Sequence, residues 1–283
     1  MCENFVIVSS QGQALARYSL RSNEFCFPIH SPSIISGGDK AWVITSRSPD
    51  TLQSMKFGYT SEVSQKRIDM LNLRTEEVDR DDNEDEYDRL MRIFTKPDFA
   101  AALHSFRCVV LIDAFLVSSP DNSNYLIHMQ NKERPFAIAG IYANWLNPET
   151  NLYETGFCIL TAASNPMLRR VGAEHMPVIL TPQNVSKWLD IRLERRVYLP
   201  LIHTFPDDLM NGYPVSGKIF SPGLTNDNLQ PTGQKLKPDQ VNAAKHQDTG
   251  TGDQTTPVIR QYRSHKEKNQ SGTPWFESHR SLE

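Results

Sequence analysis

Arg107-Cys-Val-Val-Leu-Ile-Asp-Ala-Phe-Leu-Val117 carries apolar residues at consecutive rather than alternate positions, interrupted only by Asp113. Successive side chains of a β-strand point to opposite faces, so a run without a polar face reads, from Cys108 to Val117, as a strand covered on both sides. Comparable β-rich runs are Phe5 to Val8, Ala41 to Thr45, Tyr125 to Met129, Phe136 to Tyr142, Phe157 to Leu160 and Met176 to Leu180. Helical patterns are fewer. Thr181 caps a helix whose first residue is Pro182 and whose apolar face holds Val185, Trp188, Leu189 and Leu193. Asp98 precedes Phe99-Ala-Ala-Ala-Leu103, and Val63 to Leu71 reads as another short helix. Strands and helices intermixed in this way predict an α+β fold, with a β-rich, barrel-like core of mixed strands flanked by helices.

Composition sets the limits of that core. The hydrophobic share of 39% over 283 residues is enough for a substantial interior. From Thr225 onward Asn, Asp, Gln, Thr, Gly, Lys and Pro dominate, so the expected division is a domain over residues 1–224 and a polar, flexible tail over 225–283. Val258, Ile259, Tyr262, Trp275 and Phe276 are apolar exceptions within it. Glu76 to Asp88 holds nine acidic residues and one base, Arg80; it reads as a solvated loop or as an electrostatic guard against nucleic acid. A net charge of −3 excludes a broad basic face for long duplex DNA, so any nucleic-acid contact is local. Cys2, Cys26, Cys108 and Cys158 show no CxxC spacing, and neither a zinc site nor a disulfide framework is expected. With no long apolar run and no secretory layout, the expectation is a cytoplasmic protein with no membrane partner.

Four stretches, in order, carry a resemblance: Met1-Cys2; Asn72-Leu-Arg-Thr-Glu76; the 107–117 run; and a last group from Arg134-Pro-Phe-Ala-Ile-Ala-Gly-Ile-Tyr142 and Trp145, through Thr161-Ala-Ala-Ser-Asn165, to Met176-Pro-Val-Ile-Leu180. Phe57-Gly58-Tyr59 and Pro214-Val-Ser216 fall in step with them. Together they resemble the SRAP family, named for SOS-response-associated peptidase, from residue 2 to about residue 220. The resemblance implies removal of Met1, a cysteine as first residue, and a DNA-damage role at abasic sites in single-stranded DNA. No metal or organic cofactor enters that chemistry, and a monomer is expected.

An N-terminal cysteine suits an abasic site because it offers two nucleophiles on adjacent carbons. Its α-amine, with an ordinary pKa of about 7.7–8.0, is partly neutral at physiological pH. The amine condenses with the ring-opened aldehyde to a Schiff base, and the thiol of Cys2 closes a thiazolidine. An internal cysteine has no such amine. The resemblance also implies three helpers. An asparagine that orients amine and sugar matches Asn72, whose amide both donates and accepts. A carboxylate proton shuttle falls at Val117, and a histidine acid falls at Ala173, so both are missing here. His175, two residues beyond Ala173, is the candidate substitute, because residues two apart on an extended segment face the same way; it also reads as a noncatalytic histidine in a slot where the family usually has a DNA-associated arginine.

Candidate DNA contacts are Arg74, Arg107 and Phe57. Arg74 also reads as an ion-pair partner of the acidic stretch, and Phe57 as a core ring rather than a stacking platform. Glu3-Asn4 replaces the family's common Gly-Arg, exchanging a cation for an anion, which weakens phosphate attraction. Three readings follow: a slow abasic-site processing protein acting through Cys2, with autopeptidase and lyase-like DNA-protein cross-linking activity; a catalytically degenerate relative that serves as a noncatalytic DNA-binding or regulatory module; and, last, a cysteine peptidase acting on other proteins, for which no thiol-activating base is found.

Overall fold

The run from 108 to 117 breaks where its acid sits. In the computed structural model, which describes residues 3–23, 26–75, 93–131 and 133–238, Asp113 separates two strands that belong to different sheets. In chain order the strands are β1 (Phe5–Ile7), β2 (Arg21–Ser22), β3 (Ser33–Ile35), β4 (Lys40–Thr45), β5 (Ser48–Phe57), β6 (Asn72–Arg74), β7 (Arg107–Ile112), β8 (Ala114–Ser118), β9 (Asn124–Met129), β10 (Phe136–Asn147), β11 (Leu152–Ala163), β12 (His175–Pro177), β13 (Ile179–Leu180) and β14 (Met210–Val215). The helices are α1 (Gln11–Tyr18), α2 (Pro97–Ser105), α3 (Pro166–Arg169), α4 (Pro182–Leu189) and α5 (Arg195–Tyr198).

Strands β11, β10, β7, β4 and β5 pair in that order, and β5 returns to β11 in parallel at Lys56–Gly156 and Phe57–Phe157, which closes a five-stranded barrel. Gly156 permits that closure, since a Cβ there would collide with the Gly58 carbonyl oxygen. The second sheet runs β14-β9-β8-β1-β3. One of its faces, with Phe5, Phe115 and Val117, joins the main core, while Val6, Ala114, Leu116, Leu126 and Tyr213 on the other face form a separate small core. This mixed barrel with helices is the α+β fold that the strand and helix patterns predict.

Asp113 explains the break. Its carboxylate is fully buried and accepts hydrogen bonds from the Val8 and Ser9 N–H groups (2.7 and 2.8 Å) and from Ser9 Oγ (2.5 Å), which ties the end of β1 to the β7–β8 junction. Burial raises its pKa from the ordinary 3.8, and its bonds to Ser9 and Val8 and the charge of Arg134 pull the other way.

Several expectations are corrected. Val63 to Leu71 is not helical: it forms turns, with Met70 bridged to Tyr59 and Trp145 Nε1 donating to the Ser64 carbonyl at 2.8 Å. Helix α2 starts two residues earlier than expected, with Pro97 as first residue after a Lys96 cap. Helix α4 buries Val185, Trp188 and Leu189 but stops there, so Leu193 lies beyond it. The packed unit also runs past residue 224: Leu229 is fully buried in the small core, the Tyr213 hydroxyl donates to its carbonyl at 3.0 Å, and Leu236 pairs with Gly212. Residues 239–283, with the apolar exceptions expected there, and the acidic stretch 76–88 lie outside the described residues.

Candidate functional site

Two short strands flank the end of β11. On one edge β6 runs parallel to it with Asn72 opposite Ile159 and Arg74 opposite Thr161; on the other, β12 runs antiparallel with His175 opposite Ala163. Paired residues share a face and alternate residues along a strand do too. Asn72, Arg74, Thr161 and His175 therefore lie on one face, and the apolar Leu73, Leu160, Ala162 and Met176 on the other, buried in the core. The alternation of Asn72-Leu-Arg74 is what sorts them. Thr75 fixes the end of β6 by giving both its N–H (3.0 Å) and its hydroxyl (2.8 Å) to the Thr161 carbonyl.

The polar face is not saturated. Asn72 Oδ1 and Thr161 Oγ1 are buried and have no hydrogen-bond partner among the described residues. A buried polar atom left in this way costs free energy, and such atoms mark places where a ligand group completes the network. Thr161 was not singled out by sequence reasoning; its register opposite Arg74, between β6 and β12, is the signal, and it needs the fold to be seen.

The same face looks toward the start of the chain. Phe157, two residues before Ile159, stacks on Phe57 with ring centroids 5.1 Å apart, and Phe5 of β1 packs on Phe57 at 4.8 Å. Ahead of Phe5, Asn4 is held on both sides: its carbonyl accepts from the Leu116 N–H at 3.0 Å, and its Oδ1 accepts from Ser36 Oγ at 2.7 Å. The next residue after Ser36 is Gly37, where a Cβ would stand 3.0 Å from Leu71 Cδ2. The β1 entry and Leu71, the neighbour of Asn72, thus share the Ser36–Gly37 segment. Cys2 itself lies outside the described residues.

Other sequence-predicted residues divide clearly. Arg107 is corrected from DNA contact to core: it is 1% exposed, and its guanidinium donates to the carbonyls of Trp188 (2.6 Å), Leu103 (2.8 Å), His104 (2.9 Å) and Asp190 (2.9 Å) while lying 4.0 Å from the Tyr198 ring centroid. Phe57 is corrected likewise, because its ring is fully buried between Phe5 and Phe157 and has no surface on which a base could stack. Arg74 and His175 are both half-buried. Val117 is buried opposite Tyr125, and Ala173 is buried after α3, its N–H bonded to the Leu168 carbonyl. Cys108 and Cys158 are fully buried and Cys26 nearly so, and burial pushes all three thiols up in pKa, away from thiolate chemistry. No group of His, Cys, Asp and Glu among the described residues is arranged to hold a metal, and no helix among them is long and apolar enough to cross a membrane.

Comparison with known proteins agrees with this architecture. Over 131 residues, 45% of its length, the chain is 34% identical to the abasic site processing protein YoqW of Bacillus subtilis (strain 168), and it is 33% identical over 133 residues to YobE of the same organism, an abasic site processing protein by name. These matches span 58% and 60% of the two relatives, so the chain covers about three-fifths of their length. A crystal structure from Bacteroides thetaiotaomicron superposes with a TM-score of 0.64 at 20% identity, covering 82% of this chain and all of that one. One from Bordetella bronchiseptica gives 0.59 at 14% identity over 76% of this chain and all of its own. At those identities the likeness is one of fold. The family model for SOS response associated peptidases matches residues 1–222, the whole barrel and every strand of the second sheet included, and the chain belongs to that family, SRAP.

Proposed function

We propose that the chain processes abasic sites by capturing them, in single-stranded DNA, through Cys2 once Met1 has been removed. The α-amine of Cys2 adds to the C1 aldehyde of the open sugar and water leaves, giving a Schiff base; the thiol then adds to the imine carbon and its proton passes to nitrogen, closing a thiazolidine with one water lost in all. The observation that supports this reading most is the polar face at the end of β11, where Asn72 offers a buried carbonyl oxygen without a partner among the described residues, beside Arg74 and His175. Cys2 stands two peptide units, about 7 Å at full extension, ahead of the tether at Asn4. In this scheme Asn72 orients amine and sugar, Arg74 attracts phosphate and His175 supplies the acid. The relatives' name as abasic site processing proteins agrees with it.

The reaction is slow in this account. A positioned acid or base contributes about 10²–10⁴ in rate, and the apolar Val117 and Ala173 stand where the family resemblance calls for two of them. Those same two residues favour the second reading, a noncatalytic module that binds abasic DNA without joining it. The test is to incubate chain freed of Met1 with single-stranded DNA bearing an abasic site and to follow a heat-stable adduct on a denaturing gel. Capture predicts an adduct that Cys2→Ala abolishes and Asn72→Ala slows by about 10–100-fold, the value of one hydrogen bond to a reacting group. Binding with no adduct over hours selects the noncatalytic module.

A further inference from the structure

A polar cavity of about 320 Å³ lies between the end of α2 and the α4–α5 connection, lined by His104, Arg107, Ile191, Leu193, Glu194, Arg195, Arg196 and Tyr198. It is separate from the β11 face. Cys108 pairs with Gly140, Gly140 with Ile159 and Ile159 with Asn72, so Arg107, next to Cys108, points to the opposite side of the barrel wall.

Among the described residues the charge of this cavity is unbalanced. At its floor the Arg107 guanidinium is buried and gives its hydrogen bonds to four backbone carbonyls, none of them a carboxylate. The charge of Asp190 acts on it, but both Asp190 oxygens are taken by Arg192, at 2.8 Å each. Around the rim stand Arg195, Arg196 and His104, with Glu194 the one carboxylate among the described lining residues. A buried cation with neutral partners is costly, and added cations at the same mouth increase the cost unless an anion balances them. Ile191 and Leu193 give the cavity an apolar wall, and Ile191 is 42% exposed. Volume, fixed positive charge and an apolar side together suit a small phosphorylated organic molecule better than a bare ion.

We infer that this cavity is a phosphate-binding site, taking the phosphate of a nucleotide or of a nucleic-acid end, with Arg196 and Arg195 as its contacts and Arg107 as its buried charge. The affinity for inorganic phosphate, AMP, and single-stranded oligonucleotides with and without a 5′ phosphate is measured by isothermal titration calorimetry. Arg196→Ala removes an exposed cation without touching the core, and Glu194→Gln removes the opposing carboxylate, whose side chain makes no helix-cap hydrogen bond. The expected result is saturable phosphate binding that Arg196→Ala weakens about tenfold and Glu194→Gln strengthens, in line with one charge-assisted contact. Tighter binding of AMP identifies a free nucleotide as the source, and tighter binding of the 5′-phosphorylated strand a nucleic-acid end. Abasic adduct formation is unchanged in both variants, which separates failure here from failure of the Cys2 chemistry. No saturable binding of phosphate or AMP at millimolar concentration, or binding indifferent to both substitutions, overturns the assignment.

Discussion

Asn72 holds a buried oxygen that no described group satisfies, and a site of this kind exchanges stability for function. Asn72→Ala is therefore expected to leave thermal unfolding unchanged or to raise stability by up to about 1–3 kcal/mol while adduct formation falls. A drop in melting temperature together with normal adduct formation would assign Asn72 a purely structural part. Asp113 has the opposite character: it is structural and saturated. Asp113→Ala strands the Val8 and Ser9 N–H groups in the interior and is expected to cost about 2–5 kcal/mol in denaturant titrations, whereas Asp113→Asn keeps an oxygen for both N–H groups and an amide for Ser9 Oγ, and stays within about 1 kcal/mol. The pH dependence follows from its raised pKa. The fold favours the protonated form, so this contribution is fully present below the ordinary value of 3.8 and is lost as pH rises through the higher folded value. The stability difference between wild type and Asp113→Asn should accordingly shrink as pH rises from 3.8 and then level off. A difference that grows with pH would contradict the buried, proton-favouring environment.

Elements depend on close backbone approaches that side-chain patterns do not record. The parallel contact of β5 with β11 closes the barrel only because Gly156 has no Cβ, so Gly156→Ala is expected to cost more than about 3 kcal/mol or to prevent folding, as read by circular dichroism and thermal melting. The apolar runs within β4, β7, β10 and β11 are legible in the sequence because both faces are covered along those stretches. Strand β5 was not, since its exposed polar residues mask the buried Leu52, Met55 and Phe57. The Val63 to Leu71 segment shows helical apolar spacing, yet Met70 is drawn into a bridge with Tyr59 and the chain passes directly into β6. Tertiary pairing overrides local pattern there. The split at Asp113 had a visible signal, an acid inside an apolar run, but its partners Val8 and Ser9 lie over a hundred residues away in sequence.

At the scale of the molecule, the site is made by three strands from distant parts of the chain, which is why Asn72, Arg74 and His175 could be named from motifs while their shared face, and Thr161 within it, could not. Arg107 and Phe57 carry motif identity for packing rather than contact, and residue type alone does not separate the two. The boundary of the packed unit was misplaced for a related reason: polar composition hides Leu229 and Leu236, single apolar residues docked on the second sheet. A chain ending at 224 is expected to be less stable than one ending at 238 by about 3–7 kcal/mol, from the burial of Leu229 and the hydrogen bonds of Tyr213 to the Leu229 carbonyl, Thr232 N–H to the Pro214 carbonyl and Leu236 N–H to the Gly212 carbonyl. Equal melting temperatures would show that this segment contributes nothing.

The intact mass of the chain before and after exposure to abasic single-stranded DNA tests the account most directly. The result predicted is a chain lacking Met1 that gains the mass of the oligonucleotide less one water, with the gain absent in Cys2→Ala. A chain free of Met1 whose mass stays unaltered after hours with the same DNA would contradict it.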